Sequence, residues 1–101
     1  MQKSMAKVLF SMTYVIDPER LPEYREVVRR LKGIYADEGI EYYVFEGKNH
    51  EFTELTIYPS KEEFDSSEDR LLERNDYSDY IERINRMARD VRYQTLHEIE
   101  L

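Results

Sequence analysis

A four-stranded antiparallel sheet with helices on one of its faces, an α+β fold, follows from three features of the chain. Four stretches read as strands, the first and last by two-residue periodicity and the middle two by aromatic and β-branched content, and the regions after the first and third carry apolar residues at helical spacing. Gly47-Lys48-Asn49-His50 separates the second and third strand-like stretches with turn chemistry, which makes them a hairpin. Pro59, followed by the capping-box pair Ser60 and Glu63, hands the third stretch straight into a helix. The resulting order, β-α-β-β-α-β, is the ferredoxin-like split βαβ arrangement.

The first strand spans Val8–Ile16. Val8, Phe10, Met12, Tyr14 and Ile16 fall on one face, which is apolar or aromatic throughout and should meet the helices. Leu9, Ser11, Thr13 and Val15 form a mixed opposite face. Asp17-Pro18-Glu19-Arg20 reads as a turn. From Leu21 or Pro22 onward, Leu21, Tyr24, Val27, Val28, Leu31, Ile34 and Tyr35 make the buried stripe of a helix, and Gly39 is its C-cap residue. Ile40–Glu46 is the second strand and Glu51–Tyr58 the third. After the capping box, a short helix is expected over Lys61–Ser66, with a pause at Ser66-Ser67 and a further break at Asn75-Asp76. Tyr77, Tyr80, Ile81, Ile84, Met87 and Ala88 then define an amphipathic helix ending near Asp90. Val91–Leu101 is the last strand, with Tyr93, Thr95, His97, Ile99 and Leu101 on one face.

A chain of 101 residues is one small domain, taken as residues 5–101 behind a loose tail at residues 1–4. No cysteine means no disulfide, no thiolate nucleophile and no cysteine metal site. A net charge of −7 argues against nucleic acid or an anionic membrane as the main partner. The apolar run after Lys7 is too short and too polar for a signal segment or a membrane span, so a cytoplasmic protein is expected. The sheet face away from the helices offers Leu9, Val15, Tyr43, Phe45, Leu55 and Ile57, too much apolar surface to leave in water. A homodimer packed through that open face is therefore expected.

Tyr58-x-Ser60-x-Glu62-x-Phe64 after a strand resembles the aromatic-x-Ser-x-Glu-x-Phe signature of the antibiotic biosynthesis monooxygenase-like (ABM-like) family, in the dimeric α/β-barrel superfamily. Tyr14-Val15-Ile16-Asp17-Pro18 leading to Tyr24 is similar to that family's first strand, proline turn and helix. With the element order, the likeness covers most of Val8–Leu101. It implies a pocket between sheet and helices and admits cofactor-independent oxygenase chemistry. The haem-degrading branch of the family uses an Asn on the first strand, a Trp at the exit of the third and a helical His. Here Met12 and Tyr58 take the first two positions and the second helical region holds no His, so haem degradation is not expected.

The residues themselves offer few chemical groups. Tyr58 either donates a hydrogen bond to a ligand or is a core tyrosine whose hydroxyl reaches a neighbour. Met12, Tyr14 and Phe52 share its sheet face and either line a pocket with it or fill the core; Tyr80 joins them as a candidate ligand contact. Glu54 interrupts the same face. If buried it must be protonated or paired, as general bases are; near a strand edge it is an ordinary solvated carboxylate, and the edge reading is the simpler one. His97, the one strand histidine, is a candidate base that more simply sits at the dimer surface. His50 belongs to a turn, and two separated histidines make no zinc site. Nine tyrosines against no tryptophan suit either a pocket for a flat, oxygen-bearing molecule or a half-wet interface. Two readings remain: a homodimer that binds a small aromatic or apolar molecule without metal or cofactor, with a cofactor-independent monooxygenase as its catalytic form; or a non-catalytic interaction module whose pocket is filled by side chains. Cavity volume separates them.

Overall fold

The computed structural model describes residues 6–101; the tail expected at residues 1–4, and Met5, lie outside the described residues. The elements are β1 (Val8–Val15), a single 3-10 turn at Pro18–Arg20, α1 (Leu21–Asp37), β2 (Glu41–Glu46), β3 (Glu51–Tyr58), α2 (Lys61–Leu72), α3 (Asn75–Met87) and β4 (Arg89–His97). The strands lie in the order β2-β3-β1-β4, every neighbour antiparallel, which is the ferredoxin-like topology. Among the described residues no helix is long and apolar enough to cross a membrane.

Period-two patterning sets the sheet. Along β3, Phe52, Glu54, Thr56 and Tyr58 are buried, while Glu51, Thr53, Leu55 and Ile57 alternate with them on the other face. Val8, Met12 and Tyr14 of β1 join the buried face, where Tyr24, Val27, Leu31, Ile34 and Tyr35 of α1 and Ile84 and Met87 of α3 close the core. On the open face Tyr43 and Phe45 are 45% and 55% exposed and Leu96 is 45% exposed. Leu9 lies opposite both Ile57 and Leu96, so the apolar surface runs across three strands.

Turn chemistry explains the connections. Gly39 adopts φ 70° and lets the Ile40 amide return to the Tyr35 carbonyl at 2.9 Å, ending α1. In the β2–β3 hairpin the left-handed positions are Asn49 and His50 (φ 57° and 62°) rather than Gly47. At the far end, Ser60 Oγ accepts the Glu63 amide at 3.1 Å and starts α2.

Three boundaries differ from expectation. The helix after Ser60 does not pause at Ser66-Ser67: α2 runs to Leu72. Both serines turn their hydroxyls back onto helix carbonyls, Ser66 onto Glu63 and Ser67 onto Phe64, so they are accommodated within the helix instead of capping a new one. The break falls at Glu73–Arg74, and Asn75 opens α3. Finally, α3 stops at Met87, short of Asp90, and β4 runs over Arg89–His97 instead of Val91–Leu101. Asp90, with φ 56°, lies where the β1–β4 register shifts between Thr13 and Val15, a bulge that lets the strand begin two residues early.

Candidate functional site

The strand register builds the site around one carboxylate. Glu54 stands on the helix side of β3, the second strand in from the β2 edge, and is 6% exposed; the reading of it as a solvated residue near a strand edge is therefore corrected. Its Oε2 accepts the Tyr14 hydroxyl of β1 and its Oε1 the Tyr42 hydroxyl of β2, each at 2.6 Å. The Tyr14 proton is committed to Glu54, so the Tyr24 hydroxyl of α1, 2.8 Å away, donates to Tyr14. Two tyrosine hydroxyls, from β1 and β2, thus meet one acid, and a third from α1 backs the first.

Burial dominates the electrostatics. Desolvation pushes the Glu54 carboxyl above its ordinary range, and the two tyrosine donors oppose that shift without cancelling it. The hydroxyls of Tyr14, Tyr24, Tyr35 and Tyr42 are all pushed upward, first by burial. For Tyr14 and Tyr42 the next cause is the neighbouring Glu54 charge. These phenols act as neutral donors and not as phenolates.

A cleft opens on this acid between the sheet and α2–α3. Its inner chamber, about 150 Å³, is lined by Glu54, Tyr42, Met12, Asn85 and Tyr93 among others. Its outer chamber, about 260 Å³, adds Tyr58, Phe64, Glu68, Leu71 and Leu72. Phe10, Tyr35, Thr56, Tyr77 and Ile81 line both, so the two adjoin. Together they reach the lower end of the roughly 300–1,000 Å³ of small-molecule sites. Ring contacts stiffen the walls: Tyr35 stacks on Tyr42 at 4.5 Å, and Tyr77 meets Tyr35 edge-on, their hydroxyls 3.2 Å apart. Phe10 stacks on Tyr93, and Phe64 meets Tyr58 edge-on at 5.0 Å.

The candidate residues separate on this map. Met12, Tyr58 and Glu54 line the cleft. Tyr14 is fully buried behind Glu54 and orients it. Phe52 packs on Tyr24 at 4.8 Å within the core. Tyr80 faces away: it lines two charged surface grooves of about 420 and 640 Å³ on the outer sides of α1 and α3, with the Arg83 guanidinium 5.8 Å from its ring. His97 pairs with Val8 on the helix-side face, not on the open face, and is exposed at the end of β4. Among the described residues no group of three or more His, Cys, Asp or Glu is placed to hold a metal ion.

Sequence reasoning missed Tyr35, Tyr42, Tyr77 and Asn85. Tyr35 and Tyr77 stood in its helical core stripes, with the pattern of ordinary amphipathic packing, and Tyr42 lay on a strand with no face assigned. A polar tip on each ring was the available signal. Asn85 lies beside the apolar stripe of α3, and only the docking of that helix turns it to the cleft.

No family model matches the chain and no curated protein matches it. Solved structures do. A NIPSNAP family protein from Agrobacterium tumefaciens aligns over 100% of this chain and 93% of its own, at 17% identity and TM-score 0.70. A conserved protein from Methanosarcina mazei aligns over 94% and 95%, at 12% identity and TM-score 0.77. A candidate antibiotic biosynthesis monooxygenase from Deinococcus radiodurans aligns over 93% and 94%, at 13% identity and TM-score 0.72. The chain therefore has the ferredoxin-like fold of the ABM-like and NIPSNAP proteins.

Proposed function

We propose that this chain binds a small aromatic or otherwise apolar molecule in the cleft between the sheet and α2–α3, as a homodimer closed through its open sheet face. The observation that carries the reading is the cleft itself: two adjoining chambers lined by aromatic rings, the inner one ending on a buried acid. A module whose pocket is filled by its own side chains would leave no such volume. The dimer rests on the apolar band of Leu9, Tyr43, Phe45, Ile57 and Leu96, which a second copy would cover.

The likeness to the Deinococcus radiodurans protein raises the catalytic form, a monooxygenase, which the family resemblance in the sequence would make cofactor-independent. In such chemistry the substrate supplies the electrons and its anion must be stabilised. The tyrosine donors nearest the inner chamber point at Glu54 and not at a ligand, and a carboxylate at the end of the chamber opposes a substrate anion. Binding is thus the function that the geometry favours.

Screening a set of single-ring fragments by ligand-observed NMR tests the reading. Saturable binding is expected, and Ile81→Trp, which puts a larger side chain on the wall shared by both chambers, should weaken it. Absence of saturable binding by any fragment, whatever its charge, would remove the ligand function.

A further inference from the structure

We infer that the cleft takes an organic cation: a single-ring or flat molecule carrying a protonated amine, which docks on Glu54 while its ring lies among the tyrosines. This rests on the reading of the cleft as a ligand site and names the ligand's chemical class.

Four observations converge. First, the charge lining is one-signed. Glu54 lines the inner chamber and Glu68 the outer, and neither lining includes a Lys, Arg or His. A carboxylate, phosphate or sulfonate ligand would meet two acids and no base. Second, Glu54 has no cationic partner among the described residues; its hydrogen bonds come from Tyr14 and Tyr42, one to each oxygen. An ionised carboxylate offers about four acceptor sites, so capacity remains for a donor arriving from the chamber that it lines. Third, the walls are aromatic. Tyr35, Tyr42, Tyr77 and Phe10 surround the inner chamber, and the negative faces of such rings attract a desolvated cation. Fourth, the whole chain carries −7 and would steer a cation inward.

A neutral ring would fill the same walls but leave the remaining acceptor capacity of Glu54 without a charged donor. An ammonium group supplies that charge, and the Tyr24-Tyr14 chain together with Tyr42 holds the carboxylate in place to receive it. Among ring-bearing ligands, the fit therefore favours one that carries a cation.

Three probes of one shape decide the matter on the full chain near neutral pH: benzylamine as the cation, benzyl alcohol as the neutral control and benzoate as the anion. Calorimetric or NMR titration should give benzylammonium an affinity about tenfold or more above that of benzyl alcohol, with no saturation by benzoate. Glu54→Gln should bring the amine down to the level of the alcohol, both measured on the same variant. A thermal melt of the variant establishes that it is folded, and the wild-type comparison stands without it. Benzyl alcohol binding as tightly as benzylamine would overturn the cation inference and leave the ligand cleft intact. Saturable binding by none of the three, nor by any other fragment, would overturn both.

Discussion

Tyr14 and Glu54 sit diagonally across the β1–β3 pair and meet at 2.6 Å, phenol on carboxyl, with no solvent access to the phenol. Met12 is the direct partner of Glu54 and Phe52 that of Tyr14, so a one-residue slip in register would turn the acid to the open face and dismantle the site. The same pairing that orders the sheet thus builds the polar end of the cleft.

The energetic link between Glu54 and its donors is open to a double-mutant cycle. Tyr42→Phe alone removes a buried hydrogen bond and should cost about 1–3 kcal/mol. In a Glu54→Leu background the Tyr42 hydroxyl has lost its acceptor, and the same change should be neutral or stabilising. Urea unfolding of the four proteins measures the coupling, expected at about 1 kcal/mol or more. Equal costs in both backgrounds would mean that the two groups do not interact.

Glu54 also sets a pH dependence. Burial raises its folded carboxyl above the ordinary value of 4.5, so between 4.5 and the folded value the unfolded chain is ionised while the folded one still holds the proton. Folding is then proton-linked: the stability contribution of Glu54 is fully present below 4.5 and declines as pH rises through the folded value. Asp76, held below its ordinary value by the Arg74 hydrogen bond, acts in the opposite sense, but it is present in wild type and Glu54→Gln alike. The wild-type minus variant difference in unfolding free energy, followed from acid to neutral pH, should fall with pH. A flat difference would show that Glu54 titrates as an ordinary exposed acid.

The buried phenols make a separate optical prediction. Tyr14, Tyr24, Tyr35 and Tyr42 are all held protonated by burial beyond the ordinary value of 10.0. In an alkaline titration read at the phenolate absorbance band, these four should ionise in one steep step that coincides with loss of the circular dichroism signal. Smooth ionisation of all nine tyrosines around the ordinary value, with the fold intact, would contradict the placement of these side chains.

For the proposed dimer, the open-face residues Phe45 and Leu96 are the natural levers, one on each edge strand. Sedimentation should find a dimer at micromolar concentration. Phe45→Glu with Leu96→Glu should give a folded monomer, since neither side chain belongs to the buried core. A wild-type monomer at that concentration would remove the dimer.

Most of the fold was legible because it depends on periodicity. The alternation Val8-Phe10-Met12-Tyr14 and the stripe Tyr24-Val27-Leu31-Ile34 each name an element and its buried face. The helix boundaries were less so. Ser66 and Ser67 carry cap chemistry, yet within a helix a serine hydroxyl bonds the preceding turn equally well, and only docking decides. The site was half legible. Met12, Glu54 and Tyr58 announced themselves on one sheet face, but the pairing of Glu54 with Tyr42 needed the register of β2 against β3, which the hairpin sequence does not fix by itself. Tyr80 shows the converse error: helical periodicity placed it in the stripe, and it packs half-buried at the core's margin, on the groove side of α3 and not in the cleft.

The two described methionine methyls give the most direct test of ligand entry. Met12 lines the inner chamber beside Glu54, whereas Met87 is buried in the core and lines neither chamber. With the methionine methyls labelled with carbon-13, benzylamine titration should move the Met12 resonance along a saturable curve and leave Met87 in place. A Met12 resonance that stays fixed while the amine reaches millimolar concentration, or one that drifts in parallel with Met87 without saturating, would contradict a ligand site in this cleft.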